Sequence, residues 1–150
     1  MNLERTKIND VIVIKPRVFE DERGYFFENY KKPLLDEMGI TINFVQDNVS
    51  KSSKGTLRGL HFQTQPAAQD KLVHCLVGNI FDVAVDIRPD SPTFKQWVGT
   101  ELSDKNHHSL LIPKGFAHGF YVLSSTAELV YKCSDFYDSS LERSILWKDT

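Results

Sequence analysis

Lys71-Leu72-Val73-His74-Cys75-Leu76-Val77-Gly78-Asn79-Ile80-Phe81-Asp82-Val83-Ala84-Val85-Asp86-Ile87, residues 71–87, sets the architecture of the chain. Two apolar runs, Lys71 to Val77 and Ile80 to Ile87, have the length of strands and are separated by Gly78-Asn79. A Gly-Asn pair between such runs is a tight-turn signal, so the two strands are expected to form a hairpin. The second run alternates strictly, with Phe81, Val83, Val85 and Ile87 on one face and Asp82, Ala84 and Asp86 on the other. The aspartates either face water, as on a one-sided antiparallel sheet, or line a partly polar barrel interior, and alternation alone leaves both open.

The same texture of short apolar runs broken by Gly, Pro, Asn, Asp and Ser extends in both directions. It predicts further strands at Val11 to Ile14, Tyr25 to Asn29, Ile42 to Val45, Thr56 to Gln63, Trp97 to Leu102, Ser109 to Ile112, Ala117 to Leu123, Ala127 to Cys133 and Ser144 to Trp147. The fold class is therefore all-β, a barrel or sandwich. One short peripheral helix is expected at Pro33 to Met38, since Pro suits the first helical turn and Gly39 suits the position just past the end. A chain of 150 residues with 41% hydrophobic content supports one core, so residues 1–150 are expected to form a single domain.

A formal net charge of -2 provides no general attraction for nucleic acid or an anionic membrane. The N-terminal stretch MNLERTKINDVIVIKP contains no apolar run of signal-peptide length, and nothing approaches a membrane span, which points to a cytoplasmic protein. Cys75 and Cys133 lie inside apolar runs and are too few for a disulfide framework; buried free thiols in a reducing compartment are expected.

Three clusters hold the residue types that do chemistry. Leu57-Arg58-Gly59-Leu60-His61-Phe62-Gln63 puts an Arg, a His and a Gln on one strand; alternation would send Arg58 and His61 to opposite faces unless Gly59 marks a bulge. Ile112-Pro113-Lys114-Gly115-Phe116-Ala117-His118-Gly119-Phe120 reads as a turn entering a strand that carries His118, with Gly119 permitting close backbone approach. Asp21-Glu22-Arg23-Gly24-Tyr25-Phe26-Phe27-Glu28 combines a guanidinium, suited to phosphate, with aromatic rings, which can stack on a nucleobase. No His-x-His pair or paired Cys suggests a metal, and no nucleophile elbow or Gly-rich phosphate loop occurs. What remains suits proton transfer: His61 as a base of near-neutral type, the Tyr131 phenol, the Lys71 cation, and Arg23 and Arg58 for a diphosphate.

The segments DERGYFFE (21–28), FVQDNVSKS (44–52), TLRGLHFQ (56–63), KLVHCLVGNIFDVAVDIRPDSPTF (71–94) and IPKGFAHGFYVLS (112–124) together resemble the dTDP-4-dehydrorhamnose 3,5-epimerase family, in order and spacing across essentially the whole chain. The resemblance implies a cupin-like jelly-roll barrel, a homodimer, no cofactor and no metal, and a dTDP-4-keto-6-deoxyhexose substrate epimerised at C3, C5 or both. His61 then matches the general base and Tyr131 the general acid, with Lys71 placed to donate to the enolate oxygen. Arg23, Glu28, Gln46, Asn48, Arg58, Lys71, His118 and Glu142 fall on substrate-contacting positions. Tyr137 matches an aromatic beside the nucleotide base, and Phe26 takes a similar part from the partner subunit through an exchanged N-terminal strand.

One departure accompanies the resemblance. In the family the chain continues past the counterpart of Trp147 into a segment carrying an aspartate that orients the catalytic His, whereas this sequence ends at Thr150. A fragment, a short member in which Asp82 or Asp86 takes over, and a member without full activity are the three readings. The same barrel could also serve a single-centre epimerase, a 3,4-ketoisomerase or a non-catalytic sugar-nucleotide-binding protein.

Overall fold

In the computed structural model, which describes residues 1–148, the strands are β1 (Asn2–Arg5), β2 (Ile12–Lys15), β3 (Val18–Asp21), β4 (Gly24–Phe27), β5 (Gln46–Ser53), β6 (Leu57–Gln63), β7 (Lys71–Val77), β8 (Asn79–Asp86), β9 (Trp97–Ser103), β10 (Ser109–Ile112), β11 (Phe116–Val122), β12 (Thr126–Cys133) and β13 (Glu142–Ser144). A six-stranded sheet runs β1-β2-β10-β7-β12-β5 and a five-stranded sheet runs β13-β6-β11-β8-β9, while β3 and β4 form a separate two-stranded ribbon. Every pairing is antiparallel. The two large sheets enclose a core that includes Val73, Cys75, Ile80, Leu102, Leu110, Ile112, Val122 and Leu129. This is the cupin-like jelly roll anticipated from the sequence.

The expected hairpin at Gly78-Asn79 is not one. β7 lies in the six-stranded sheet and β8 in the five-stranded sheet, so Gly78 carries the chain from one wall of the barrel to the other. Its backbone is left-handed (φ +84), and a Cβ there would lie 2.1 Å from the Thr126 carbonyl oxygen, so only glycine fits. The turn amides are taken by side chains of other loops: Gly78 N donates to Asp104 Oδ2 at 2.7 Å and Asn79 N to Ser124 Oγ at 2.8 Å. Two-residue turns read identically in sequence whether the next strand pairs back or crosses over.

Which face of β8 points inward is also settled. Asp82 and Asp86 are fully buried, with Ile80 and Ala84 between and beside them, so this face forms the barrel interior. The apolar face is turned outward, where Phe81, Val83 and Val85 join Leu57, Trp97 and Trp147 along an external groove of about 680 Å³. Asp86 is tolerated inside because it is fully bonded. It accepts from Arg88 Nε at 2.9 Å, Arg88 Nη2 at 2.7 Å, Ser91 Oγ at 2.5 Å and Thr93 Oγ1 at 2.6 Å.

Burial alone would raise the Asp86 carboxyl, but the bonds from Arg88, Ser91, Thr93 and the Arg88 amide outweigh it and hold the group well below the ordinary carboxylate range. A depressed folded-state value stabilises the protein above the unfolded value, about pH 4, and the contribution is lost as pH falls toward the folded value. Arg88→Ala removes the charge partner and leaves the carboxylate with the Ser91 and Thr93 hydroxyls and the backbone amide of position 88. It is expected to cost about 3 kcal/mol, a fall in Tm of roughly 6–12 °C at neutral pH that shrinks on acidification. Thermal unfolding at pH 7 and pH 2 measures both.

The remaining differences from the sequence expectations have local causes. The predicted strand at Ile42 to Val45 is irregular chain whose Ile42 and Phe44 pack with Tyr30, Leu35 and Ile40 over the outer face of the six-stranded sheet. The true strand, β5, follows it in the polar run Gln46–Ser53. β1 and β3, also largely polar, were not expected, and the last strand ends at Ser144, where Trp147 was expected to close it. The helix α1 (Lys32–Glu37) has Pro in its first turn and buries only Leu35, as a peripheral cover.

Candidate active site

Antiparallel registration builds the site from both walls. Across the six-stranded sheet Gln46 is opposite Cys133, which is opposite Lys71, and Asn48 is opposite Tyr131. Directly opposed residues share a face, so Gln46, Asn48, Lys71, Tyr131 and Cys133 all project to the interior. The intervening Lys132 projects outward and is paired with Asp47 at 2.9 Å. On the five-stranded sheet Glu142 is opposite Gln63, while Ser144, His61, His118 and Ala84 form one row. The walls meet in a cavity of about 340 Å³ lined by Gln46, Asn48, His61, Phe62, Gln63, Gln69, Lys71, Tyr131, Cys133, Tyr137 and Glu142.

The glycine interruption in β6 does mark a bulge. His118 pairs with His61 but Phe120 pairs with Arg58, so the register slips by one residue between them. Gly59 sits at that slip with φ +125, and a Cβ on it would lie 2.5 Å from Gly119 Cα. The two glycines let the strands approach closely, and the bulge redirects the side chains on either side. Arg58 donates from Nε to Ser52 Oγ at 2.9 Å and lies within electrostatic reach of Tyr131, although it does not line the cavity itself.

The electrostatics differ between walls. Burial raises the Tyr131 phenol above its ordinary value, with Cys133 and Glu142 adding to the shift and Arg58 opposing it, so the phenol holds its proton at neutral pH. Burial lowers the Lys71 ammonium, opposed by the nearby Cys133, Asp82 and Glu142. Glu142 Oε1 stands 3.7 Å from His61 Nδ1, while its other oxygen accepts from the Tyr137 hydroxyl at 2.9 Å. Asp82 holds His118 Nε2 at 2.9 and 3.1 Å, and Asp86 holds Arg88, so the carboxylate beside His61 is Glu142 and neither aspartate of β8 takes that place.

Five sequence candidates do not line this cavity within one chain: Arg58, bonded to Ser52, His118, bonded to Asp82, and three near the N-terminus. Arg23, Phe26 and Glu28 belong to the β3–β4 ribbon and the residues after it; Arg23 bonds Asp21 at 2.6 Å and Glu28 bonds Lys31 at 2.8 Å. Alternation along β4 turns Tyr25 and Phe27 onto the body, where their rings lie 4.6 and 4.9 Å from His107, and leaves Phe26 facing out with 65% of its surface exposed.

Several residues the sequence left without a role prove structural or cavity-lining. Gln63 is buried, donates to the Ala67 and Phe136 carbonyls at 2.7 and 3.1 Å and accepts from Asp138 N at 2.7 Å, tying two rim loops together. Gln69 fixes the same rim through the Asp135 carbonyl at 2.9 Å. Both cysteines are unpaired and buried, but Cys133 contributes to the cavity wall, whereas burial pushes the Cys75 thiol up to about 11 and leaves it inert. The described residues bring no group of three His, Cys, Asp or Glu side chains together as a metal site, and no described helix is long and apolar enough to cross a membrane.

A cupin-like barrel whose interior cavity carries an imidazole on one wall and a phenol and an ammonium on the other defines the class: a small all-β barrel with an ionisable cavity between its two sheets. Within that class the chain belongs to the dTDP-4-dehydrorhamnose 3,5-epimerase family, whose model matches residues 5–150. It is 57% identical over 150 residues to the dTDP-4-dehydrorhamnose 3,5-epimerase of Shigella flexneri, covering 99% of this chain and 83% of that one. The dTDP-6-deoxy-D-glucose-3,5-epimerase of Legionella pneumophila, solved in complex with dTDP-4-keto-L-rhamnose, superposes with a TM-score of 0.96 at 53% identity, covering 99% of this chain and 79% of that one. A 3'-monoepimerase from Streptomyces bikiniensis, in complex with dTDP-quinovose, superposes at 0.87 with 30% identity over 94% of this chain and 72% of that one.

Proposed function

We propose that the protein epimerises a dTDP-4-keto-6-deoxyhexose at C3 and C5 for rhamnose-type nucleotide sugar synthesis. The observation that carries this is that His61 and Tyr131 line one cavity from opposite sheets. The C4 ketone acidifies the hydrogens on its neighbouring carbons. His61 removes a proton from C3 or C5, and the electron pair passes to the C4 oxygen as an enolate, which the Lys71 ammonium stabilises; one such contact is worth about 3 kcal/mol. Tyr131 then returns a proton to carbon from the opposite ring face, which inverts the centre. The raised phenol keeps that proton until the enolate draws it.

Gln46, Asn48, Tyr137 and Glu142 line the nucleotide side of the pocket in this reading. Arg58 and a second chain's Arg23 hold the diphosphate, which converts remote binding energy into ring positioning. A homodimer supplies Arg23, Phe26 and Glu28 across the subunit boundary, as the outward-facing Phe26 supports. Mixing subunits tests this: Arg23→Ala/Phe26→Ala and His61→Asn homodimers are each inactive, and heterodimers of the two recover activity at one site. Absence of recovery would place those residues in their own chain's site or outside any site.

The function is tested by NMR of dTDP-4-keto-6-deoxyglucose with the protein in heavy water. Deuterium at both C3 and C5 is expected. Label at one centre alone would make the enzyme a monoepimerase, the activity of the Streptomyces bikiniensis relative. Saturable binding without label would leave a sugar-nucleotide-binding barrel.

A further inference from the structure

Asp82 is a fully buried carboxylate that the proton-transfer scheme above does not use. An ionised carboxylate in a barrel interior is costly unless it is paired and hydrogen-bonded, so its retention asks for a use. Both of its oxygens meet the same atom, His118 Nε2, at 2.9 and 3.1 Å. A carboxylate only accepts, so Nε2 carries the hydrogen and the ring is fixed in one orientation. His118 is itself nearly buried and stands directly opposite His61 on the neighbouring strand, on the same face. The order along this inward face is therefore Asp82, His118, His61, of which His61 lines the cavity.

We propose that Asp82 is a positioning residue of the active site: through its bonds to His118 and its charge beside Lys71 it fixes the donor wall against which the enolate oxygen develops. The proposal rests on the epimerase reading above. Lys71 is drawn from its charged form by burial and held in it by three neighbours, Cys133 and Asp82 followed by Glu142. Cys133 and Glu142 line the open cavity and share their influence with solvent and substrate. Asp82 is sealed in the barrel interior, with side-chain exposure of 0%, so its influence on Lys71 is screened less by solvent than that of a carboxylate on the open cavity wall. The neutral isostere Asn exerts no such field and offers His118 Nε2 one acceptor oxygen in place of two.

The sign follows directly. Without the Asp82 charge the ammonium is held less firmly, Lys71 loses its proton at a lower pH, and the basic limb of the rate profile moves down. Asp82→Asn is expected to lower kcat by about 10–100-fold, through a displaced His118 and a weakened Lys71 charge, with KM within about threefold of the parent. The basic limb of kcat against pH is expected to shift to lower pH in the same variant.

Wild type, Asp82→Asn and His118→Gln are compared on dTDP-4-keto-6-deoxyglucose in heavy water from pH 6 to pH 10, each with its melting temperature. His118→Gln keeps the carboxylate, so its kcat falls while its basic limb stays at the parental pH. An Asp82→Asn variant with parental kcat overturns the proposal, and so does a lower kcat with an unmoved basic limb, which is what a merely structural role would give. Should Asp82→Asn fail to fold, His118→Gln decides: a shifted limb or an unchanged kcat overturns the assignment. Wild type that exchanges no deuterium would instead sink the epimerase reading itself.

Discussion

His61→Asn is expected to stop exchange of the C3 and C5 hydrogens with solvent and to slow turnover by about 10²–10⁴-fold, the usual span for loss of a general base. The size of the effect follows from chemistry rather than folding. The His61 side chain is 47% exposed and stands 3.7 Å from Glu142, beyond hydrogen-bonding distance, so its removal leaves no buried group unpaired. The melting temperature should move little. Exchange is read by the disappearance of the C3 and C5 proton signals in heavy water, a step that precedes inversion and reports the base alone. A variant that exchanges at the parental rate would show that another group removes the proton.

Tyr131→Phe separates the second half-reaction from the first. The phenyl ring keeps the packing of Tyr131 against the core while the acid is lost, so the base can still form the enolate. The expected result is inversion slowed by about 10²–10⁴-fold with hydrogen exchange slowed much less, because the enolate is reprotonated from the face it came from. Label would enter the starting sugar without changing its configuration. Equal loss of exchange and inversion would mean that the phenol takes part in forming the enolate, and parental inversion would mean that the proton comes from elsewhere.

The fold was legible where burial leaves a period in the sequence and illegible where function erases it. β8 was plain because its alternation is strict, yet the sequence could not say which face was inside. The answer, Asp82 and Asp86 inward and Phe81 and Val83 outward, inverts the simplest hydrophobic expectation. It depends on partners distant in the chain, His118 for one aspartate and the Arg88-Ser91-Thr93 turn for the other. β5 was missed for the opposite reason. Its inward positions, Gln46 and Asn48, are polar because they line the cavity, so the strand carries no apolar stripe. Ile42 and Phe44 attracted the assignment instead, although their burial comes from packing under the outer helix.

The site was legible in part for a related reason. Gly59 inside a strand-like run made a bulge the condition for Arg58 and His61 to share a cavity; the structure has the bulge, with Gly119 closing from the next strand, but only His61 lines the cavity. The convergence of His61 with Tyr131 was not readable from spacing, since it is set by two sheets folding over each other. Asp82 lay in plain view within the most regular strand and still gave no sign of its partner, because the contact to His118 spans 36 residues and crosses between strands. Gln63 was noted beside His61, but its work in binding the rim loops depends on carbonyls that no residue-type pattern announces.

Everything in this scheme requires that one ketose ring lie between an imidazole and a phenol. The most direct measurement is a crystal structure of Tyr131→Phe with dTDP-4-keto-6-deoxyglucose bound. The account predicts the sugar within the cavity, a His61 nitrogen about 3–3.5 Å from C3 or C5 on one ring face, and the phenyl edge at residue 131 against the other. A ring bound with both side chains on the same face, or a sugar lodged away from His61, would contradict it.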